Sequence, residues 1–203
     1  MIGRFEALKS ALGKRLRTLC FSLTIAGIVI LVIAVVAVAN GFVFNCTHSA
    51  PFGLYKEIEG FPSIPHEPAP YAFFCPDNRW PFMRDQPNYR SPMRTCPDGY
   101  APLIKPVVAW AGDIVQNSRE GIAVNGRPIH HTLPIDHDSR GRKIHPYPFG
   151  TYLVEPDQVW VVSSFSPRSF DSRYFGPIPI RCVRAWVRPF WVENSYRSRR
   201  NDY

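Results

Sequence analysis

The sequence predicts a mainly β protein, in which one N-terminal membrane-spanning helix is followed by an antiparallel β domain. The 203 residues include 21 Pro and 13 Gly, a content that disfavours long helical bundles. An uncharged, strongly apolar run occupies residues 19–39. Beyond it, short β-rich runs alternate with Pro and Gly, which is typical of strands joined by turns.

The N-terminal arm, residues 1–17, holds five of the 24 Lys and Arg residues and a single acid. The formal net charge is +8 for the whole chain and falls to +4 without this arm. A nucleic-acid-binding protein would carry its excess charge on the folded part. The charge therefore predicts a phospholipid bilayer as partner and no nucleic acid.

The apolar run predicts a single transmembrane helix over residues 18–40. At about 1.5 Å per residue its uncharged part spans roughly 31 Å, the thickness of a hydrocarbon core. A cleaved signal peptide is the alternative, because Ala37-Val38-Ala39 has the pattern of a cleavage site, but the length of the run favours an uncleaved anchor. The basic flank predicts a cytoplasmic N-terminus, with residues 41–193 in the periplasm of a bacterium and residues 194–203 as a basic, disordered tail.

Within the outer domain, Asn125-Gly126 between two β-rich runs predicts a hairpin. Two segments rich in Pro, Arg and His, residues 60–100 and 127–150, are expected to form loops or an extension. The predicted strands are residues 71–75, 107–110, 113–116, 121–124, 158–163 and 180–187.

Five cysteines in an oxidising compartment allow disulfides. Cys75 and Cys96 bracket a Pro- and Arg-rich loop without apolar periodicity, and a bridge that closes about 20 residues contributes roughly 3 kcal/mol. We therefore expect a Cys75–Cys96 disulfide. Cys46 and Cys182 are then free or paired with each other, and Cys20 lies in the membrane.

Two residues carry the chemistry that the sequence can suggest. Ser49 follows the anchor in a polar stretch, where a serine alone is more often a turn residue. Lys105 stands alone in an apolar run, residues 103–113. A lysine there can extend to water, but burial would lower its pKa and leave a neutral amine able to act as a general base.

Three segments in order resemble one known family. They are Ser49-x-Pro-x-Gly-Leu-Tyr behind an anchor, Lys105-x-x-x-Ala-x-x-Gly-Asp, and Ser169-Phe-Asp-Ser-Arg-Tyr-Phe-Gly-Pro. Together they resemble the signal peptidase I superfamily, most closely its conjugative-transfer branch of TraF-type peptidases. The resemblance implies a signal-peptidase-like β fold, with Ser49 as nucleophile and Lys105 as general base.

The same resemblance assigns supporting residues. Thr47 and the backbone N–H of Ser49 would form the oxyanion hole, and Ser169 would orient the lysine. Asp171 and Arg173 would form an ion pair that braces the site, and the TraF branch treats this aspartate as needed for activity. The Gly-Asp-Asn element of ordinary leader peptidases is missing from residues 162–168, which favours the conjugative branch.

The function that the resemblance implies is a membrane-anchored serine endopeptidase that cuts exported, membrane-borne precursors after a small residue. For the TraF branch the substrate would be a pilin precursor, and either water or the pilin's own amine would resolve the acyl-enzyme. No cofactor and no metal are implied, and the oligomeric state is not predicted. The alternatives are a general leader peptidase and a non-catalytic, anchored component of a secretion apparatus.

Histidines offer two rival sites. His48 precedes Ser49, but neighbours in an extended chain point to opposite faces and rarely meet. A second group could hold a metal or supply a triad base, although its spacing matches no compact metal motif and its setting indicates a solvated loop. Its members are His130, His131, Asp136, His137, Asp138 and His145.

Overall fold

The computed structural model describes residues 2–47, 49–60, 70–77, 80–84 and 86–193, and the chain divides into two units between residues 42 and 43. The first unit is helix α1 (Ile2–Ala39). Its part Gly13–Ala39 is long and apolar enough to cross a membrane. The hydroxyls of Thr18, Ser22 and Thr24 each donate a hydrogen bond to the carbonyl four residues earlier, so the helix itself satisfies them. This helix is the candidate membrane anchor.

The domain that follows α1 is built from short strands. In chain order, the strands among the described residues are β1 (Phe42–Asn45), β2 (Gly53–Glu57), β3 (Tyr71–Phe74), β4 (Leu103–Ala109), β5 (Ile114–Ser118), β6 (Gly121–Val124), β7 (Arg127–Ile129), β8 (Gly150–Leu153), β9 (Gln158–Val161), β10 (Ile178–Pro179) and β11 (Val183–Val192). The short helices are α2 (Pro81–Arg84), α3 (Ser172–Phe175) and a 3-10 helix, Ile180–Cys182.

These strands form two sheets in the described part of the chain. The larger has the order β1-β2-β11-β3-β4-β9-β10, and the smaller has the order β7-β6-β5-β8. Every pairing with a described register is antiparallel. The prediction of a mainly β, antiparallel domain behind one apolar helix is confirmed.

Alternation along the strands defines the core between the sheets. In β5 the side chains of Val115 and Asn117 are buried while Ile114 is exposed, because successive side chains of a strand point to opposite faces. Val115 packs in one cluster with Ile122 of the small sheet and Trp160 of the large sheet. The two sheets therefore share the apolar cluster that contains Val115, Ile122 and Trp160.

The predicted hairpin is confirmed. Asn125 and Gly126 both have positive φ, 50° and 78°, as the two central residues of a type I′ turn require. They join β6 to β7 with Val124 opposite Arg127. Residues 127–129, predicted as the second run of this hairpin and also within a segment of loops or an extension, form an edge strand of the small sheet.

The predicted strand over residues 180–187 is wrong at its start and too short at its end. The chain first makes a 3-10 turn, in which the Ile180 N–H bonds the Asp157 carbonyl at 2.8 Å. Strand β11 then continues past Pro189, where its register against β2 shifts. Proline has no N–H to donate to a ladder, so within a sheet it is confined to edge strands, strand starts or irregularities such as this one.

A disulfide joins Cys75 to Cys96, while Cys20, Cys46 and Cys182 are free thiols. The Cys75 N–H bonds the Cys182 carbonyl at 3.1 Å, which ties the end of β3 to the start of β11. The loop that follows β3 is therefore held at the sheet by a covalent bond and by main-chain pairing.

Candidate active site

Ser49 lies in the turn between β1 and β2, and this turn is organised by Asn45. The Asn45 side chain is buried, and its Nδ2 donates to the carbonyls of Thr47, Ala50 and Pro51 at 3.1, 3.0 and 3.0 Å. Its Oδ1 accepts from the Thr47 N–H at 3.1 Å and from the Thr47 hydroxyl at 2.8 Å. One amide thus replaces the ladder bonds that a turn cannot make.

The turn is also fixed to the core below it. Ala50 is buried against Tyr55, and the Tyr55 hydroxyl donates to the Pro51 carbonyl at 2.9 Å. Gly53 then has φ +140°, and a side chain there would collide with the Trp191 carbonyl of β11. Glycine is required at this point because β11 approaches the backbone so closely.

Lys105 lies in β4, opposite Ala72 of β3. It is only 2% exposed. Its Nζ donates to the Ser169 hydroxyl oxygen at 2.8 Å. Burial lowers the pKa of Lys105 to about 8; the charge of Asp171 opposes this effect and that of Arg173 adds to it. The apolar setting seen in the sequence therefore corresponds to a buried amine that loses its proton easily.

Asp171 and Arg173 form an ion pair with no exposed surface on either side chain. Arg173 Nε donates to Asp171 Oδ1 at 2.8 Å and Nη2 donates to Oδ2 at 2.9 Å. The carboxylate also accepts from the Arg173 N–H at 3.2 Å as the N-cap of α3, and from the Ser163 N–H at 3.1 Å. A buried ion pair is tolerated when its remaining polar groups are satisfied in this way.

The remaining donors of Arg173 all reach main-chain carbonyls. They bond Leu133 at 3.1 Å, Pro167 at 3.3 Å and Ser169 at 2.8 Å. With the two bonds to Asp171, all five N–H groups of the guanidinium are used. Arg173 therefore fixes the backbone of Ser169, which in turn contacts the lysine.

The structure brings Lys105, Ser169, Asp171 and Arg173 together, and it links Ser49 to them through Ser163, whose hydroxyl donates to the Ser49 carbonyl at 2.6 Å. No hydrogen bond joins Ser49 Oγ to Lys105 Nζ among the described residues. Catalytic hydrogen bonds commonly tighten only when the substrate is bound.

The histidine sites are not assembled as catalytic or metal groups in the described part of the chain. His48 lies outside the described residues. Within them, no three His, Cys, Asp or Glu side chains come together as metal ligands would. The loop of His130 to His145 instead contacts the ion pair through the Leu133 carbonyl, which accepts from Arg173 Nη1 at 3.1 Å.

Sequence reasoning missed Asn45 and Ser163. For Asn45 a signal existed, since an Asn at the end of a strand, just before a polar turn, often bonds the backbone that follows. Ser163 is the last residue of the predicted strand 158–163, and it lies where the Gly-Asp-Asn element is missing. Its contact with Ser49 joins distant parts of the chain, and no local pattern indicates it.

Comparisons with known proteins place the chain among signal peptidases and transfer proteins. The family described as "Signal peptidase, peptidase S26" matches residues 72–191. "Plasmid transfer protein TraF" of Escherichia coli is 32% identical over 178 residues, which cover 88% of this chain and 98% of that protein. "Conjugal transfer protein TraF" of Agrobacterium fabrum is 34% identical, covering 84% and 93%. A crystal structure of a signal peptidase I from Enterococcus faecalis V583 aligns with 62% of this chain and all of its own at 18% identity and a TM-score of 0.33.

Proposed function

The chain belongs to the signal peptidase S26 family, and from this premise we propose that it is a membrane-anchored serine endopeptidase with a Ser49/Lys105 dyad. The observation that carries the proposal is the buried amine of Lys105, which bonds Ser169 at 2.8 Å and has its pKa lowered to about 8. Burying a lysine costs folding free energy, and a domain that only binds a partner would gain nothing in return for that cost. A general base needs this setting.

The proposed reaction has two steps. Neutral Lys105 takes the proton of Ser49 Oγ as that oxygen attacks the precursor's carbonyl carbon, and the resulting ammonium then gives the proton to the leaving amine. An acyl-enzyme on Ser49 remains, and a second nucleophile releases it. Asp171 and Arg173 contact neither Ser49 Oγ nor the lysine by hydrogen bond in the described structure, so we assign them the role of positioning Ser169.

Ser169 restricts the direction of the lysine lone pair. Because one N–H of the amine is bonded to Ser169 Oγ, rotation about the last side-chain bond is limited, and the lone pair is kept available for Ser49. The Ser169 backbone is fixed in turn by Arg173. This order of contacts explains how a distant ion pair supports the base.

We propose that the Ser49 N–H and Thr47 act on the oxyanion, each worth roughly 3 kcal/mol to the transition state. The Thr47 hydroxyl hydrogen is engaged by Asn45 Oδ1 at 2.8 Å. Thr47 has one such hydrogen, so its donation to an oxyanion requires rotation away from Asn45. The backbone N–H of Ser49 needs no such change.

The relatives named for plasmid and conjugal transfer suggest the substrate. We propose a precursor of a conjugative transfer apparatus, of the pilin type, presented at the outer face of the bacterial inner membrane. The apolar helix Gly13–Ala39 anchors the protein there, with its basic flank in the cytoplasm and the β domain in the periplasm. Water or the precursor's own amine would resolve the acyl-enzyme.

Mass spectrometry of the processed precursor tests this function. The full-length protein in lipid nanodiscs should convert a conjugative pilin precursor and leave a panel of unrelated secreted precursors uncut. A product lighter than the hydrolysed chain by one water molecule would mark cyclisation by the amine. Equal cleavage of the whole panel would indicate a general leader peptidase instead.

The pH profile of processing should follow the lysine. Only the neutral amine can accept the Ser49 proton, so kcat/KM, which follows the free enzyme, should rise with pH through about 8, where the pKa of Lys105 lies. It should fall about tenfold for each pH unit below that value and level off above it. Initial rates between pH 5.5 and 9.5 measure this profile, and a rate independent of pH across that range would contradict a lysine base.

A further inference from the structure

We propose that Ser163 is a positioning residue for the nucleophile, which transmits the restraint of the buried Asp171–Arg173 pair to the main chain at Ser49. The inference deepens the proposed function and rests on Ser49 being the nucleophile. Its basis is that one buried serine contacts both the Ser49 carbonyl and the Asp171 carboxylate.

The hydroxyl of Ser163 has a fixed orientation. Ser163 is 0% exposed, and its Oγ accepts the Phe165 N–H at 3.2 Å. A hydroxyl has a single hydrogen, and here that hydrogen goes to the Ser49 carbonyl at 2.6 Å. The single hydrogen and one of the two lone pairs are thus engaged, so the side chain acts as a rigid link.

The backbone of Ser163 is fixed on the lysine side of the site. The Val162 N–H bonds the carbonyl of Pro106 at 3.2 Å, and Pro106 directly follows Lys105 in β4. The Ser163 N–H then bonds Asp171 Oδ2 at 3.1 Å. Ser163, which holds Ser49, therefore directly follows Val162, and Val162 is bonded to β4, the strand that carries Lys105.

Three consecutive carbonyls, those of Ser49, Ala50 and Pro51, are held by side chains. Those of Ala50 and Pro51 are held by Asn45, and that of Pro51 also by Tyr55. The donors Asn45 and Tyr55 both belong to the same local segment as the turn. Ser163 holds the Ser49 carbonyl from across the site, and so it sets where the turn lies relative to Lys105.

The expected consequence is on rate and not on substrate binding. Without the Ser163 hydroxyl the turn keeps its internal bonds, but the Ser49 peptide loses its link to the half of the site that holds the base. A displacement of about 1 Å between reacting groups costs on the order of 100-fold in rate. The lysine keeps its bond to Ser169, so its pKa should not change.

The test compares three variants of the full-length protein in nanodiscs. Ser163→Ala removes the hydroxyl, and Ser163→Thr keeps it. Ser172→Ala is the matched control, because Ser172 is also 0% exposed and its Oγ accepts the Val161 N–H at 2.9 Å without contacting Ser49. The readouts are kcat, KM and the pH midpoint of processing, together with hydrogen exchange of the peptide covering residues 43–54.

Ser163→Ala should lower kcat by about 10- to 100-fold, with KM within about threefold and an unchanged pH midpoint, and should speed exchange in residues 43–54. Ser163→Thr should recover most of both effects, and Ser172→Ala should show neither. Wild-type kcat and exchange in Ser163→Ala would overturn the inference, as would equal effects in Ser172→Ala. If Ser49→Ala still processes precursor, the proposed function fails, while the exchange comparison still decides whether Ser163 restrains the turn.

Discussion

Lys105→Met is expected to abolish precursor processing, with a loss of at least about 10³-fold in kcat, and at the same time to stabilise the fold at pH 7. The loss follows because methionine fills the space of the lysine without a proton acceptor. Ser49→Ala should cause a comparable loss, and the double variant should be no worse than either single one, since the two groups act in one step. Single-turnover rates measure all three.

The gain in stability follows from the lowered pKa. Burial lowers the pKa of Lys105 from 10.5 to about 8, a difference worth about 3 kcal/mol. At pH 7 the lysine is protonated in the folded and unfolded states, so folding bears this cost in full; between pH 8 and 10.5 the folded state releases its proton first and the cost shrinks. Lys105→Met should therefore raise the free energy of unfolding by about 1–3 kcal/mol at pH 7, allowing for the lost bond to Ser169.

Urea unfolding at pH 7 and pH 10 measures this gain, which should be smaller at the higher pH. Lys143→Met is the matched control, because Lys143 is exposed, and it should change stability by no more than about 0.5 kcal/mol and leave processing intact. A destabilised but active Lys105→Met variant would show that the lysine is structural, and the dyad would have to be abandoned.

Arg173→Met should destabilise the domain by about 3–5 kcal/mol, because it leaves the Asp171 carboxylate buried without its partner. It also removes the donors that hold the carbonyls of Leu133, Pro167 and Ser169. The urea midpoint of the full-length protein in detergent measures the loss. Adding Asp171→Asn to Arg173→Met should recover part of it, since the uncompensated charge is then gone.

The matched control for this prediction is Arg142→Met. Arg142 bonds Asp138 at 2.7 Å, but its side chain is 42% exposed, and exposed ion pairs contribute at most about 1 kcal/mol. A similar midpoint for the two variants would show that the Asp171–Arg173 pair is no more important for folding than a surface contact.

Much of the fold could be predicted from local pattern. Gly121–Val124 is a short β-rich run that ends directly at Asn125-Gly126, so both the strand and its turn are encoded within a few residues. The edge strand Gly150–Leu153 is not among the strands predicted from the sequence, and most of its side chains are exposed. It is a strand because β5 pairs with it, a contact that only the tertiary structure provides.

The candidate site also contains some residues that the local sequence pattern predicts and others that only the tertiary structure explains. Lys105 stands alone among apolar residues, a pattern that allowed its side chain to be buried or to extend to water, and the structure places it at 2% exposure. The roles of Asn45 and Ser163 depend on carbonyls that lack ladder partners, and this need arises only once the turn at Ser49 has formed. Asn and Ser are equally common in ordinary loops, so their residue type alone does not predict these hydrogen bonds.

The closed network around Arg173 also constrains how this protein can diverge during evolution. Any lineage that loses either Asp171 or Arg173 first must pass through an intermediate that folds poorly, because each side chain is completely enclosed with the other. Two coordinated genetic changes would be needed to exchange the pair for apolar residues. Natural variants of this protein should therefore keep both residues or lack both.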